Sequence, residues 1–171
     1  EVDKVLASTG DRQVALMGNS RGGNAIRGYV MNGGAAKVSH AILGGTPNHG
    51  VFANPASRLT NEFNGAGPVL QALNNQGAPG VEITPGPKWM TVRSDRNDKF
   101  AQPDGEWIGA KGQATNISFD GPELKGATNV VIAGIDHRET SYSPQAFAAA
   151  WRFITGLEPA TLEARAERDI V

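Results

Sequence analysis

The stretch Val14-Ala-Leu-Met-Gly-Asn-Ser-Arg-Gly-Gly-Asn-Ala-Ile26 opens as an apolar run, passes one serine set between two glycines, and closes in a helical pattern. Val14 to Met17 has the length and composition of a short buried strand. From Arg21 onward the apolar period changes. Ile26, Tyr29 and Val30 fall at i, i+3 and i+4, and Asn32-Gly33-Gly34 follows where a helix would stop. A strand that becomes a helix through Gly18-Asn19-Ser20-Arg21-Gly22 fits G-x-S-x-G, the tight turn that lifts a serine oxygen above the end of a sheet. Glycines belong two residues either side of that serine because the turn is strained and larger side chains would meet the neighbouring strand and helix. Gly23 behind them permits close packing of the helix. A glycine-rich turn with an incidental serine, as at phosphate sites, is the bland alternative, but neither the P-loop nor the spaced dinucleotide pattern fits these residues.

The same alternation of strand and helix continues on both sides. Val2 to Ala7 reads as the end of a helix stopped at Gly10, and Val38 to Leu43 as a second strand feeding the loop Gly44-Gly-Thr-Pro-Asn-His-Gly50. Val51 to Pro87 is weakly periodic and is read as a short helix or two in a surface region that shapes a pocket or lid. Trp89 to Val92 is a third strand. The long polar loop from Arg93 to Thr128 follows, with a short extra strand expected at Asn116 to Phe119. Asn129 to Ala133 is the fourth strand. Ser143-Pro144 supplies an N-cap and a first-turn proline for a helix carrying Phe147, Trp151 and Ile154, stopped by Gly156. Strands separated by helices or long crossovers predict an α/β domain, a mainly parallel sheet with flanking helices, over residues 1–156, with 157–171 as a tail or linker.

Composition narrows the function. Lys plus Arg number 16 against Asp plus Glu at 17, so there is no broad basic face for nucleic acid. Cysteine is absent, which removes disulfides, thiolate nucleophiles and thiolate metal sites together. No apolar run approaches the roughly 18 residues of a membrane span, and Glu1-Val-Asp-Lys lacks the basic-then-apolar shape of a signal peptide. His, Asp and Glu show no metal-ligand spacing, so neither a metal nor a cofactor is expected.

A serine alcohol is a poor nucleophile until a histidine takes its proton, and the imidazolium then needs a carboxylate to orient and stabilise it. The order that accompanies a G-x-S-x-G turn is serine, acid, histidine. Of His40, His49 and His137, only His137 lies late enough to leave room for an acid after Ser20, and it stands in the loop between the last strand and the last helix. The acid belongs in the loop after Trp89 to Val92. Asp98, in Asn97-Asp-Lys-Phe-Ala-Gln-Pro103, is preferred; Asp95, nearer the strand end, is the runner-up, and Asp104 in Pro-Asp-Gly reads as a turn. Asp136, adjacent to His137, is assigned to loop structure. His49 is a candidate either to line the pocket or to hydrogen-bond within its tight loop, and His40 reads as a sheet residue.

Together these residues resemble bacterial lipases and esterases of the α/β-hydrolase superfamily, especially the lipase class 2 type. The resemblance is carried by Gly18-Asn-Ser-Arg-Gly22 with Gly23, by Ala41-Ile-Leu-Gly-Gly-Thr-Pro-Asn-His-Gly50, by the loop around Asp98, and by His137. It implies ester hydrolysis through an acyl-enzyme, with Ser20 as nucleophile, His137 as base, Asp98 as its partner and the backbone N–H of Arg21 as an oxyanion donor. It implies a small-molecule or lipid ester substrate and a secreted or periplasmic bacterial setting. It also implies that this is the C-terminal portion of the fold: the early strands, and the loop giving the second oxyanion donor, have no counterpart before Ser20. A separate N-terminal segment of the same protein is therefore expected to complete it. An acyltransferase, thioesterase or amidase would use the same residues. From other classes, a non-catalytic relative that binds a ligand or partner, or a nucleotide-binding module holding phosphate at Gly18 to Gly23, compete with the enzyme.

Overall fold

The computed structural model describes residues 1–95, 106–107, 110–114 and 123–163. Helix α1 (Val2–Thr9) ends at Gly10, whose φ of 77° closes the helix by bonding its N–H to the Leu6 carbonyl. Strand β1 (Val14–Asn19) runs into helix α2 (Arg21–Tyr29), which continues through a wider turn until Gly33, at φ 102°, breaks it. Strand β2 (Val38–Gly44) follows, then a long excursion containing helix α3 (Pro68–Asn74), then strand β3 (Lys88–Ser94). The short antiparallel pair β4 (Glu106–Trp107) and β5 (Ala110–Ala114) precedes β6 (Thr128–Ile132), and helices α4 (Glu139–Tyr142) and α5 (Pro144–Thr155) end the fold.

β1, β2, β3 and β6 form one parallel sheet in that order, with Leu16 opposite Ala41, Ile42 opposite Met90, and Val92 opposite Val130. The α/β architecture is thus as the alternation of periods implied. The β4–β5 pair was not legible, because Ala110-Lys-Gly-Gln-Ala114 has no apolar alternation. The strand expected at Asn116 to Phe119 lies outside the described residues.

Alternate strand residues face opposite sides, so the sheet has two cores. On one side Ala41, Leu43 and Trp89 pack with Ile26 and Val30 of the α2 segment. On the other, Ile42, Met90 and Val92 pack under α5. Ser143 caps α5 as expected, its Oγ accepting the Ala146 N–H at 3.1 Å. The residues that made α5 legible are not the ones it buries. Ala146, Ala149 and Ala150 meet the sheet, whereas Phe147, Trp151 and Ile154 are 45%, 39% and 39% exposed. Small alanines let α5 settle closely on the central strands. The large stripe is left beside Met17 of β1 in an open apolar groove of about 200 Å³.

Arg27 fixes the excursion after β2. It is only 2% exposed, and its guanidinium donates to Asn48 Oδ1, the Leu73 carbonyl, Asn74 Oδ1 and the Glu82 carbonyl at 2.7–3.2 Å. Burial pulls its pKa down to about 10, against the raising pull of Glu82. One side chain thereby binds α2, the loop at residue 48, α3 and the segment before β3.

Candidate active site

Ser20 sits at the junction of β1 and α2 with φ 52° and ψ −119°. A non-glycine residue there carries strain and persists only where its surroundings hold it. What holds it is the end of the neighbouring strand: the Ser20 N–H donates to the Gly44 carbonyl at 2.7 Å, and its own carbonyl accepts the Gly23 N–H at 3.0 Å. The glycines divide in their reasons. A Cβ on Gly18 would come 2.6 Å from the Gly22 backbone, and one on Gly23 would come 1.9 Å from Thr46 Oγ1, so both are demanded by close approach. A Cβ on Gly22 would meet nothing within 4 Å, so the collision anticipated there is absent from this chain.

His137 approaches the same corner. It is 7% exposed, and its ring lies against the glycine pair that ends β2: a Cβ on Gly45 would stand 3.0 Å from His137 Nδ1. A Cβ on Gly44 would strike Ser141 Oγ and the Thr140 carbonyl, so Gly44-Gly45 admits the His137 loop by having no side chains. The loop is built as a reciprocal cap. Asp136 Oδ1 accepts the N–H groups of Arg138 and Glu139, while Glu139 Oε2 accepts the Asp136 N–H. Backbone hydrogen bonding from Glu139 lowers the Asp136 pKa, against desolvation and with help from Arg138 and His137. Asp136 therefore serves the loop.

The residue the sequence did not single out is Asn19. Its Nδ2 donates to the His137 carbonyl at 2.8 Å, with Thr140 Oγ1 at 3.1 Å and the Gly44 carbonyl at 3.3 Å. The neighbour of Ser20 is thus bonded to the backbone of His137, 118 residues away. A polar residue closing an apolar strand run was the available signal.

Of the three acids, Asp98 and Asp104 lie outside the described residues. Asp95 follows β3 directly; its Oδ1 accepts the Gly134 N–H at 3.1 Å and faces Ser94 Oγ, which in turn bonds the Ile135 carbonyl. Asp95 thus supports the start of the His137 loop. His49 pairs with Glu82, Nε2 to Oε2 at 3.0 Å. Burial would raise the Glu82 pKa, but the Lys125 N–H and His49 outweigh it and the net shift is downward. His40 lies in β2, its ring edge-on to Phe153. Arg21 places its N–H in the first turn of α2, where helix amides lack intrahelical partners. Its side chain pairs with Glu62 and lies over the Phe63 ring, tying the serine turn to the excursion. Among the described residues no His, Asp and Glu group could hold a metal ion, and no helix is long and apolar enough to cross a membrane.

No protein-family model and no curated protein matches the chain. Among solved structures it is similar to the lin2722 gene product of Listeria innocua, at 16% identity and a TM-score of 0.56. The likeness covers 93% of this chain and 64% of that one, so the chain spans under two thirds of that protein's length. Such a likeness speaks to the α/β fold alone.

Proposed function

We propose that the chain carries the catalytic serine and histidine of a carboxylic-ester hydrolase of the lipase or esterase kind. The observation that carries this is the strained backbone of Ser20, φ 52° and ψ −119°, at a strand-to-helix turn whose preceding residue is bonded to His137. Strain of this sort clusters at sites where it positions a group for chemistry. Ser20 Oγ attacks the ester carbonyl carbon while His137 takes its proton, and the negative charge that develops on the carbonyl oxygen meets the Arg21 N–H. Collapse breaks the bond to the alcohol, which leaves with the proton from His137. Water then attacks the acyl-enzyme by the same route, releasing the acid and restoring Ser20. Asp98 is assigned as the orienting acid and Asp95 as a support of the His137 loop. Asp98→Asn is expected to reduce turnover more than Asp95→Asn; equal small losses would refute that order.

The same proposal extends to a separate N-terminal segment of the protein, which would pair with the open side of β1, cover Phe147, Trp151 and Ile154, and supply the second oxyanion donor. It is supported by β1 standing at the end of the sheet among the described residues and by the apolar groove beside it. A free strand edge invites a partner strand. The deciding experiment for the chemistry is labelling with a fluorophosphonate followed by peptide mass analysis. Modification is expected at Ser20 and is expected to vanish in His137→Ala; a folded chain that never labels at Ser20 would favour a binding role.

A further inference from the structure

We propose that Asn19 is a positioning residue for His137, acting with Thr140 as a clamp on the His137 backbone; the inference rests on the serine-hydrolase reading. The His137 carbonyl accepts two hydrogen bonds, from Asn19 Nδ2 at 2.8 Å and from Thr140 Oγ1 at 2.7 Å, and the two donors are themselves 3.1 Å apart. Thr140 is fully buried and His137 nearly so, which makes these bonds costly to leave unmade. Asn19 also reaches the Gly44 carbonyl, the acceptor that holds the Ser20 N–H. The amide therefore ties together the strand end carrying the serine, the strand end against which the imidazole rests, and the loop carrying the histidine. Gly44 and Gly45 admit the loop by shape, having no side chains to meet it. What the amide adds is a fixed distance between residues 19 and 137, and hence between the residues that exchange the proton.

Misplacement of a catalytic group by about 1 Å commonly costs on the order of a hundredfold in rate. Asn19→Ala and Thr140→Val should each lower kcat for a short nitrophenyl ester, and the labelling rate of Ser20, by about 10- to 100-fold with KM little changed. Thr140→Ser keeps the hydroxyl and should restore most of the rate. Asn19→Asp places a carboxylate oxygen against a carbonyl oxygen and should do no better than Asn19→Ala. All rates are taken well below the thermal midpoint of each variant, so lost stability alone leaves them unmoved. The Cε1–H resonance of His137 gives a readout without turnover: one sharp line in the parent, broadened or split in Asn19→Ala. If the parent labels at Ser20 and the variants label equally fast, the clamp is overturned and the hydrolase reading stands. If the parent never labels, that reading fails, and an unchanged His137 resonance in Asn19→Ala then overturns the clamp as well.

Discussion

The two faces of the sheet are covered by helices in opposite ways. On the α2 face the large residues point in: Ile26, Val30, Leu43 and Trp89 form one core, and Arg27 anchors the adjoining loops. On the α5 face the helix meets the sheet through alanines and turns Phe147, Trp151 and Ile154 outward over β1. The same period of apolar residues marked both helices. What differs is which side chains of each helix meet the sheet, which teaches that a stripe read from sequence identifies a helix without identifying what covers it.

The largest effect that would break this contrast is expected at Arg27. Arg27→Ala should cost about 3 to 5 kcal/mol, since it strands several buried acceptors at once, and Arg27→Lys should not rescue it because an ammonium cannot present the same fork. The denaturant midpoint measures this; a loss under about 1 kcal/mol would mean that the loops hold without the guanidinium. Next comes Leu43→Ala, fully buried on the α2 face, at about 2 to 5 kcal/mol.

A smaller, pH-dependent effect is expected from His40 on the α5 face. Burial, with Lys88 assisting, lowers its pKa from the ordinary 6.5, and its Nε2 is buried without a hydrogen-bond partner among the described residues. The folded state thus binds this proton less readily than the unfolded chain. The stability it contributes is complete above pH 6.5 and is lost as pH falls from there through the lowered value. His40→Leu should flatten that part of the stability curve between pH 7.5 and about 5; an unchanged slope would assign the loss elsewhere. The smallest effect is expected at Trp151→Ser, within about 0.5 kcal/mol in this chain by the same measurement. A cost approaching that of Leu43→Ala would mean that the stripe is already covered, and the two faces would cease to differ.

Much of the site was written locally. Gly18, Ser20 and Gly23 follow from a turn whose geometry depends on a few consecutive residues, and the caps at Gly10, Ser143 and Gly156 likewise need only neighbours in sequence. His137 could be placed by order and by its loop. Asn19, Arg27 and the pairing of His49 with Glu82 could not, because each joins residues 21 or more positions apart through side-chain hydrogen bonds, which leave no period in the sequence.

By itself, then, the sequence determined that strands alternate with helices, where the caps at Gly10, Ser143 and Gly156 fall, and which serine stands in a strained turn, because these depend on local sterics and short-range periodicity. Only the tertiary structure decided which face of α5 is buried, that a buried arginine binds the excursion together, and that the amide beside Ser20 holds the backbone of His137. Those depend on which distant groups share one small volume, and burial rather than spacing sets the cost of leaving them apart.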